Sequence, residues 1–179
     1  QGNTITNISV TSSTAGAQAT PVFGGIVILG GNHNIGTITG NTIGAATGTG
    51  AIAISSSVSS YYVDGIYSTS TGTVTISNNN IGSINATGTT ASVSCLFYGI
   101  WCLGTSGNAT VTNNVVGSTS TANSIVVGTD LTSTASHTFY GIRCDNTGTP
   151  TVGGGSGLGN TVQNVTVRTT GSASFYGYY

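Results

Sequence analysis

The sequence predicts an all-β fold, a parallel β-helix (β-solenoid) of about five coils with roughly 38 residues per repeat. Three observations carry the prediction. Two short anchors alternate from one end of the chain to the other, the composition is dominated by turn formers and β-branched residues, and charge is almost absent.

The first anchor is an apolar residue, any residue, Gly, then Ile or Tyr. It occurs as Phe23-Gly24-Gly25-Ile26, Val63-Asp64-Gly65-Ile66, Phe97-Tyr98-Gly99-Ile100, Phe139-Tyr140-Gly141-Ile142 and Phe175-Tyr176-Gly177-Tyr178. The second is Asn, any residue, then Ile or Val: Asn3-Thr4-Ile5, Asn41-Thr42-Ile43, Asn79-Asn80-Ile81, Asn114-Val115-Val116 and Asn160-Thr161-Val162. Each unit offers three strand candidates. One follows the Gly-Ile (Ile66 to Ser68), one leads into the Asn (Thr73 to Ser77), and one precedes the next aromatic (Ala91 to Phe97). Apolar and polar residues alternate in the last two, as in half-buried strands. Ser59-Ser60-Tyr61-Tyr62 and Gly128-Thr129-Asp130 read as loop insertions, and residues 149–159 as a lengthened turn.

Short strands of this kind cannot bury a core singly. Stacked in register at about 4.8 Å per rung, they bury one together. The predicted inward ladders are Phe23, Val63, Phe97, Phe139, Phe175; then Ile26, Ile66, Ile100, Ile142; then Ile38, Ile76, Val111, Leu158. The Gly marks a bend or bulge where a Cβ does not fit. The Asn suits a corner, because it tolerates a left-handed backbone and its amide can pair with backbone or with the next Asn.

Composition sets the remaining limits. The chain has 179 residues, enough for one domain with a real core, so residues 1–179 are read as a single solenoid domain within a longer repetitive assembly. Only 3% of residues are charged, against about 25% in ordinary soluble domains. Disorder is excluded by a net charge of -1 with a mean hydropathy of +0.23. Two Arg cannot neutralise a row of phosphates, which excludes nucleic acid. The longest apolar run, Val22 to Leu29, is far short of the ~20 residues a transmembrane helix needs. The lack of an initiator Met and of a signal-peptide pattern suggests a processed or excised piece.

The stretch Gly65 to Ile81, GIYSTSTGTVTISNNNI, resembles the repeat of right-handed parallel β-helices of the pectin-lyase-like fold. The Gly-Ile and Asn-x-Ile-Gly anchors between Ser/Thr tracts also resemble large repetitive surface proteins secreted by Bacteroidota-type bacteria. The resemblance covers essentially the whole chain, although family coils are commonly shorter than this unit. One coil per unit is favoured over two, since each unit has one Gly-Ile and one Asn corner. The resemblance implies an extracellular location. Enzymes of the fold use clustered acidic residues, and here Asp64, Asp130 and Asp145 are the only carboxylates.

Candidate sites are few. Arg143, Asp145 and His137 form a conceivable polar site, but a lone ion pair explains the first two as well. No catalytic residue, cofactor or metal ligand set is assigned, because glycosidase and Ca²⁺ chemistry both need more carboxylates at defined spacing. Cys102 and Cys144 both lie three residues after a ladder Gly and would stack one rung apart, as a disulfide or as two buried thiols; Cys95 is expected in the core. Thr37/Thr39, Thr75/Ser77 and Thr110/Thr112 read as an outward hydroxyl array, the kind of face that an ice- or surface-binding module presents, although ordinary β propensity explains it too. Tyr67, Tyr98, Trp101, Tyr140 and Tyr176 are expected near the Gly corner, available to sugar rings, a neighbouring subunit or adjacent loops. Asn7, Asn85, Asn108 and Asn164 are N-glycan acceptor sequons, though chance accounts for them in so Asn-rich a chain.

The function these features favour is a non-enzymatic, extracellular structural or adhesive solenoid. It stacks through its ends with copies of itself or with flanking repeats, with surface glycans as further partners. An ice- or surface-binding module and a carbohydrate-binding or carbohydrate-active β-helix are the alternatives. Near-zero charge predicts that assembly responds little to salt, or to pH between 4 and 9.

Overall fold

Five coils stack in parallel register, four of them four-sided and the fifth contributing three sides. The computed structural model describes residues 1–104, 107–128, 133–146 and 148–179. The first coil holds β1 (Thr4–Ile5), β2 (Ile8–Ser12), β3 (Phe23–Ile28) and β4 (His33–Ile35). The second holds β5 (Thr42–Gly44), β6 (Ile52–Ser56), β7 (Ser60–Ser68) and β8 (Val74–Ser77). The third holds β9 (Asn80–Gly82), β10 (Ile84–Gly88), β11 (Ser94–Cys102) and β12 (Ala109–Thr112). The fourth holds β13 (Val115–Gly117), β14 (Ile125–Val127), β15 (His137–Cys144) and β16 (Thr151–Val152), and the fifth β17 (Thr161–Gln163), β18 (Val165–Val167) and β19 (Ala173–Tyr178). The sheets run β1-β5-β9-β13-β17, β2-β6-β10-β14-β18, β3-β7-β11-β15-β19 and β4-β8-β12-β16.

There are thus four sides per coil, not the three expected. The candidates before and after the Gly are one continuous strand, because the chain runs straight through the Gly with a bulge instead of turning there. Phe97, Gly99 and Ile100 all face the interior, which breaks the alternation at the Gly-Ile step. The Asn-x-Ile-Gly anchor is itself a short strand, and Ile84–Gly88 forms the fourth side. Tyr61 and Tyr62 belong to β7, not to a loop insertion. The insertion expected at Gly128-Thr129-Asp130 lies outside the described residues except for Gly128.

The two anchors fit each other. A Cβ on Gly99 would lie 2.5 Å from the Gly141 carbonyl oxygen and 2.6 Å from Val116 Cγ1. A Cβ on Gly141 would lie 2.5 Å from the Gly177 carbonyl and 2.7 Å from Val162. The Gly is required because the aliphatic residue of the second anchor packs directly on its backbone. Ile43, Ile81 and Val116 consequently have no exposure at all, and burying each stabilises the fold by about 1.5–3 kcal/mol. Opposite them, Phe97, Phe139 and Phe175 stack with ring centroids 5.4 and 5.0 Å apart, the geometry expected of offset aromatic pairs.

The Phe and Ile ladders form as the spacing predicts, Phe23↔Val63↔Phe97↔Phe139↔Phe175 and Ile26↔Ile66↔Ile100↔Ile142. The third ladder needs correction at both ends. Ile76 and Val111 pair with Ile35 and Val152. Ile38 is 88% exposed and Leu158 46% exposed, in turns. Counting back from the Asn corner fails in these two units because the turns from Ile35 to Asn41 and from Val152 to Asn160 are longer than that from Ile76 to Asn79.

Candidate interaction surfaces

The Asn corner is a continuous polar ladder. Asn3 Nδ2 donates to Asn41 Oδ1 (3.1 Å), Asn41 Nδ2 to Asn79 Oδ1 (2.8 Å), Asn79 Nδ2 to Asn114 Oδ1 (3.0 Å) and Asn114 Nδ2 to Asn160 Oδ1 (2.9 Å). The backbone N–H of each donor residue bonds the same oxygen. Asn79 Nδ2 also donates to the Ser77 carbonyl and Asn114 Nδ2 to the Thr112 carbonyl, both at 3.0 Å, so the amide holds the turn as well as the next coil. Asn41, Asn79 and Asn114 are buried, where a satisfied network is strong and an unsatisfied one costly. The Asn-to-Asn bonds all run the same way along the axis, while Nδ2 of Asn79, Asn114 and Asn160 also reaches back to the Ile35, Ile76 and Val111 carbonyls one coil below. One end of the solenoid therefore presents the Asn3 oxygen, and the other presents N–H groups of Asn160.

Strand edges are open at both ends, β1 to β4 below and β16 to β19 above. The upper end also carries exposed aromatics: Phe175, Tyr176, Tyr178 and Tyr179. Their columns are stacked beneath them, with Tyr98 on Tyr140 at 5.0 Å and Tyr140 on Tyr176 at 4.7 Å.

The outer face of the Gly-containing sheet is less available than the sequence suggests. Tyr67, Tyr98 and Trp101 are buried as a second small core, with Tyr62, Leu96, Leu103 and Tyr140 packed against it. Arg143 lies across Tyr140 (4.8 Å), Tyr179 (5.0 Å) and Trp101 (5.2 Å) as a cation over aromatic faces. Asp145 Oδ2 accepts from Arg143 Nε (2.6 Å) and Trp101 Nε1 (2.8 Å), which pins the cluster. Only Tyr176 and Tyr179 of this aromatic strip are exposed, at the upper end. A shallow groove of about 750 Å³ runs beside the strip, between the turn at Gly16 to Ala19 and Tyr62, Tyr67 and Leu103.

The two acidic residues among the described residues, Asp64 and Asp145, do not converge. Asp64 is fully buried on the outer side of β7, in register with Gly24 and Tyr98. Both of its carboxylate oxygens lack hydrogen-bond partners among the described residues, and burial pushes its carboxyl up to about 8. Asp145 sits two coils further on and is committed to Arg143 and Trp101. Asp130 lies outside the described residues. His137 is buried; its Nδ1 accepts from the Cys95 backbone N–H (3.1 Å), its Nε2 lies 3.3 Å from Ser133 Oγ, and burial lowers its pKa. It does not join Arg143 and Asp145. No group of three or more metal-ligating side chains occurs among the described residues.

The remaining candidates fall as follows. The Thr array does not form a flat outer face. Thr75 and Thr110 are in register, but their neighbours are Asn34 and Thr151, and Thr37 and Thr39 lie in the turn after β4. Ser77 and Thr112 are buried at the corner, where the chain turns them under the Asn ladder. Cys102 and Cys144 are register partners and free thiols. The Cys102 thiol donates a hydrogen bond to Cys144 Sγ, and this bond, with burial, holds the Cys102 thiol well above its usual range. Cys95 is in the core beside Tyr61, and burial pushes it up to about 12. Asn7, Asn108 and Asn164 are exposed. Asn85 is half-buried in β10, its Oδ1 buried without a partner among the described residues, in a polar groove of about 450 Å³ with Thr49, Thr87, Asn123 and Arg168. Among the described residues no helix is long and apolar enough to cross a membrane.

Compared with protein-family models, with curated proteins and with solved structures, the chain gives no match.

Proposed function

We propose that this chain is a non-enzymatic structural module that works by end-to-end stacking, as part of an extracellular filament or a long repetitive cell-surface adhesin. A parallel β-solenoid fits a structural module. The observation that carries the finer reading is the Asn ladder, open at both ends with opposite polarity: an acceptor oxygen on Asn3 faces one way, donor N–H groups on Asn160 the other. Unpaired strand edges and exposed Phe175, Tyr176 and Tyr178 at the same end supply backbone and apolar complements. A like unit docked there continues the columns of the three five-stranded sheets, Phe175 onto Phe23 and Tyr176 over Gly24. The scarcity of charge supports the reading, since stacked units repel little. The extracellular setting rests on the resemblance to secreted repetitive surface proteins, and surface glycans are proposed as further partners of the assembled fibre.

The test is sedimentation velocity and negative-stain electron microscopy of the chain over rising concentration. Linear assemblies at a width of one solenoid are expected, with little change between low and high salt. A monodisperse monomer at high concentration overturns the reading, and a steep salt dependence counts against it.

A further inference from the structure

We propose that the outer groove over Asp64 is a binding site for an alkylammonium ion, with the Asp64 carboxylate as its counter-ion and Tyr62 and Tyr67 as aromatic walls. The inference is independent of stacking, because the groove lies along the side of the solenoid and not on its end faces.

The starting point is a carboxylate without a partner. Asp64 has no exposure, and neither of its oxygens has a hydrogen-bond partner among the described residues. A polar group buried in this way costs free energy until something satisfies it. The basic residues of the chain are engaged elsewhere. There is no Lys. Arg143 is bound to Asp145, and Arg168 lines a groove on another sheet with Asn85 and Val126. The His137 ring meets the Cys95 backbone N–H and the Ser133 hydroxyl, and the His33 ring meets the Gly30 carbonyl. A cation for Asp64 therefore comes from outside the chain.

The surroundings select the kind of cation. Tyr61, Val63 and Ile66 of β7 belong to the central core, and the bulge at Gly65 shifts the alternation. Tyr62, Asp64 and Tyr67 thus take successive outward positions. Tyr62 and Tyr67 both line the groove of about 750 Å³, with the turn at residues 16–19 as its other wall. Asp64 lies between them on the strand, beneath the groove. Its register neighbours are Gly24 on β3 and Tyr98 on β11. A Cβ on Gly24 would lie 2.7 Å from Val27 Cγ2 and 3.2 Å from Pro21 Cγ, so apolar side chains close the lower side. The titratable groups around the carboxyl are the phenols of Tyr62, Tyr67 and Tyr98 and the thiol of Cys95; β3 and residues 13–22 carry none. Arg143 stands beyond Tyr98, 5.9 Å from its ring.

Aromatic faces beside an unpaired carboxylate suit an organic cation. Two open acceptor oxygens select a primary ammonium, which has N–H donors to give, over a quaternary one, which has none. A single carboxylate is too little for Ca²⁺, which takes roughly six to eight oxygen ligands. Asp64 is covered in the free chain, so the ligand enters by parting half-buried Tyr62 from the exposed turn at residues 16–19. Burial keeps the carboxyl protonated up to about pH 8. An ammonium that takes the site below that pH therefore displaces one proton to solvent.

The probe is n-butylammonium, titrated into the full chain by calorimetry in two buffers of different protonation enthalpy. Saturable one-to-one binding is expected, with about one proton released at pH 7 and an apparent Kd that weakens toward about tenfold per pH unit below 8. Tetramethylammonium should bind about tenfold more weakly or worse, for want of donors. Asp64→Asn keeps the shape of the protonated acid, so it should retain the fold by circular dichroism and lose both binding and proton release. Tyr62→Ala, at a half-buried position, should weaken binding by about threefold to tenfold. N-acetyl-lysine methylamide separates the sources of the ammonium group: tighter binding than butylammonium assigns the site to a lysine side chain of a partner protein, and equal or weaker binding assigns it to a free amine. Unchanged affinity in Asp64→Asn, binding without proton release at pH 7, equal binding of tetramethylammonium, or no binding at millimolar butylammonium overturns the proposal.

Discussion

Replacing Asn114 with alanine tests whether the Asn ladder holds the coils together. Asn114 is fully buried in the middle of the ladder. Its Oδ1 accepts from the Asn79 backbone N–H (2.9 Å) and Nδ2 (3.0 Å), and its Nδ2 donates to the Ile76 and Thr112 carbonyls and to Asn160 Oδ1. Alanine removes all of these and leaves the buried backbone N–H of Asn79 without an acceptor, while Asn79 Nδ2 keeps the Ile35 and Ser77 carbonyls. Losing these net hydrogen bonds and orphaning a buried donor together costs about 4 kcal/mol. For a chain of this size that lowers the melting temperature by about 12 °C. Asn3→Ala is the control, because Asn3 is exposed at the end of the ladder and its side chain makes one bond, to Asn41 Oδ1. That loss costs about 1 kcal/mol or less. Thermal unfolding followed by circular dichroism compares the two. If Asn114→Ala shifts the transition no more than Asn3→Ala does, the ladder is incidental to stability and the reasoning fails.

Three further outcomes follow from the same structure. Gly99→Ala should destabilise by about 3 kcal/mol, because the new methyl meets the Gly141 carbonyl and Val116, while Gly177→Ala, with nothing within 4 Å, should be neutral in the same melt. Asp64 is held protonated by burial up to about pH 8, whereas in the unfolded chain it ionises near its ordinary value of 3.8. Between those values the folded state binds the extra proton, so stability falls as pH rises from about 4 to about 8, by at most about 1.4 kcal/mol per pH unit, and levels off above; denaturant melts across that range should show the slope, and Asp64→Asn should flatten it. Finally, a thiol-alkylating reagent on the folded chain should modify Cys144, which is partly exposed, and spare Cys95 and Cys102 until unfolding, as read by mass spectrometry.

The pH prediction marks a limit of reading charge by counting. Net charge of -1 implies a molecule indifferent to pH. Asp64 departs from that because its position on the outer side of β7 is fully buried. Tyr67 and Trp101, which alternation alone places on an outer surface, are buried as well. Strand parity says which side of a sheet a residue faces and nothing about what lies over that side. The Asn corner was legible because its amide does one job at every coil, and recurrence exposes it.

Sequence alone determined the fold class, the coil count, the Gly-Ile and Phe ladders and the Asn corner, because stacking imposes the same residue at the same place and so writes itself as a period. Tertiary structure decided how many sides each coil has, that Ile35 and Val152 rather than Ile38 and Leu158 complete the third ladder, and that Ser77 and Thr112 turn inward. Those features depend on turn lengths that vary from coil to coil and on contacts between residues some forty apart. Register between neighbouring coils is set by the whole stack, and no single repeat contains it.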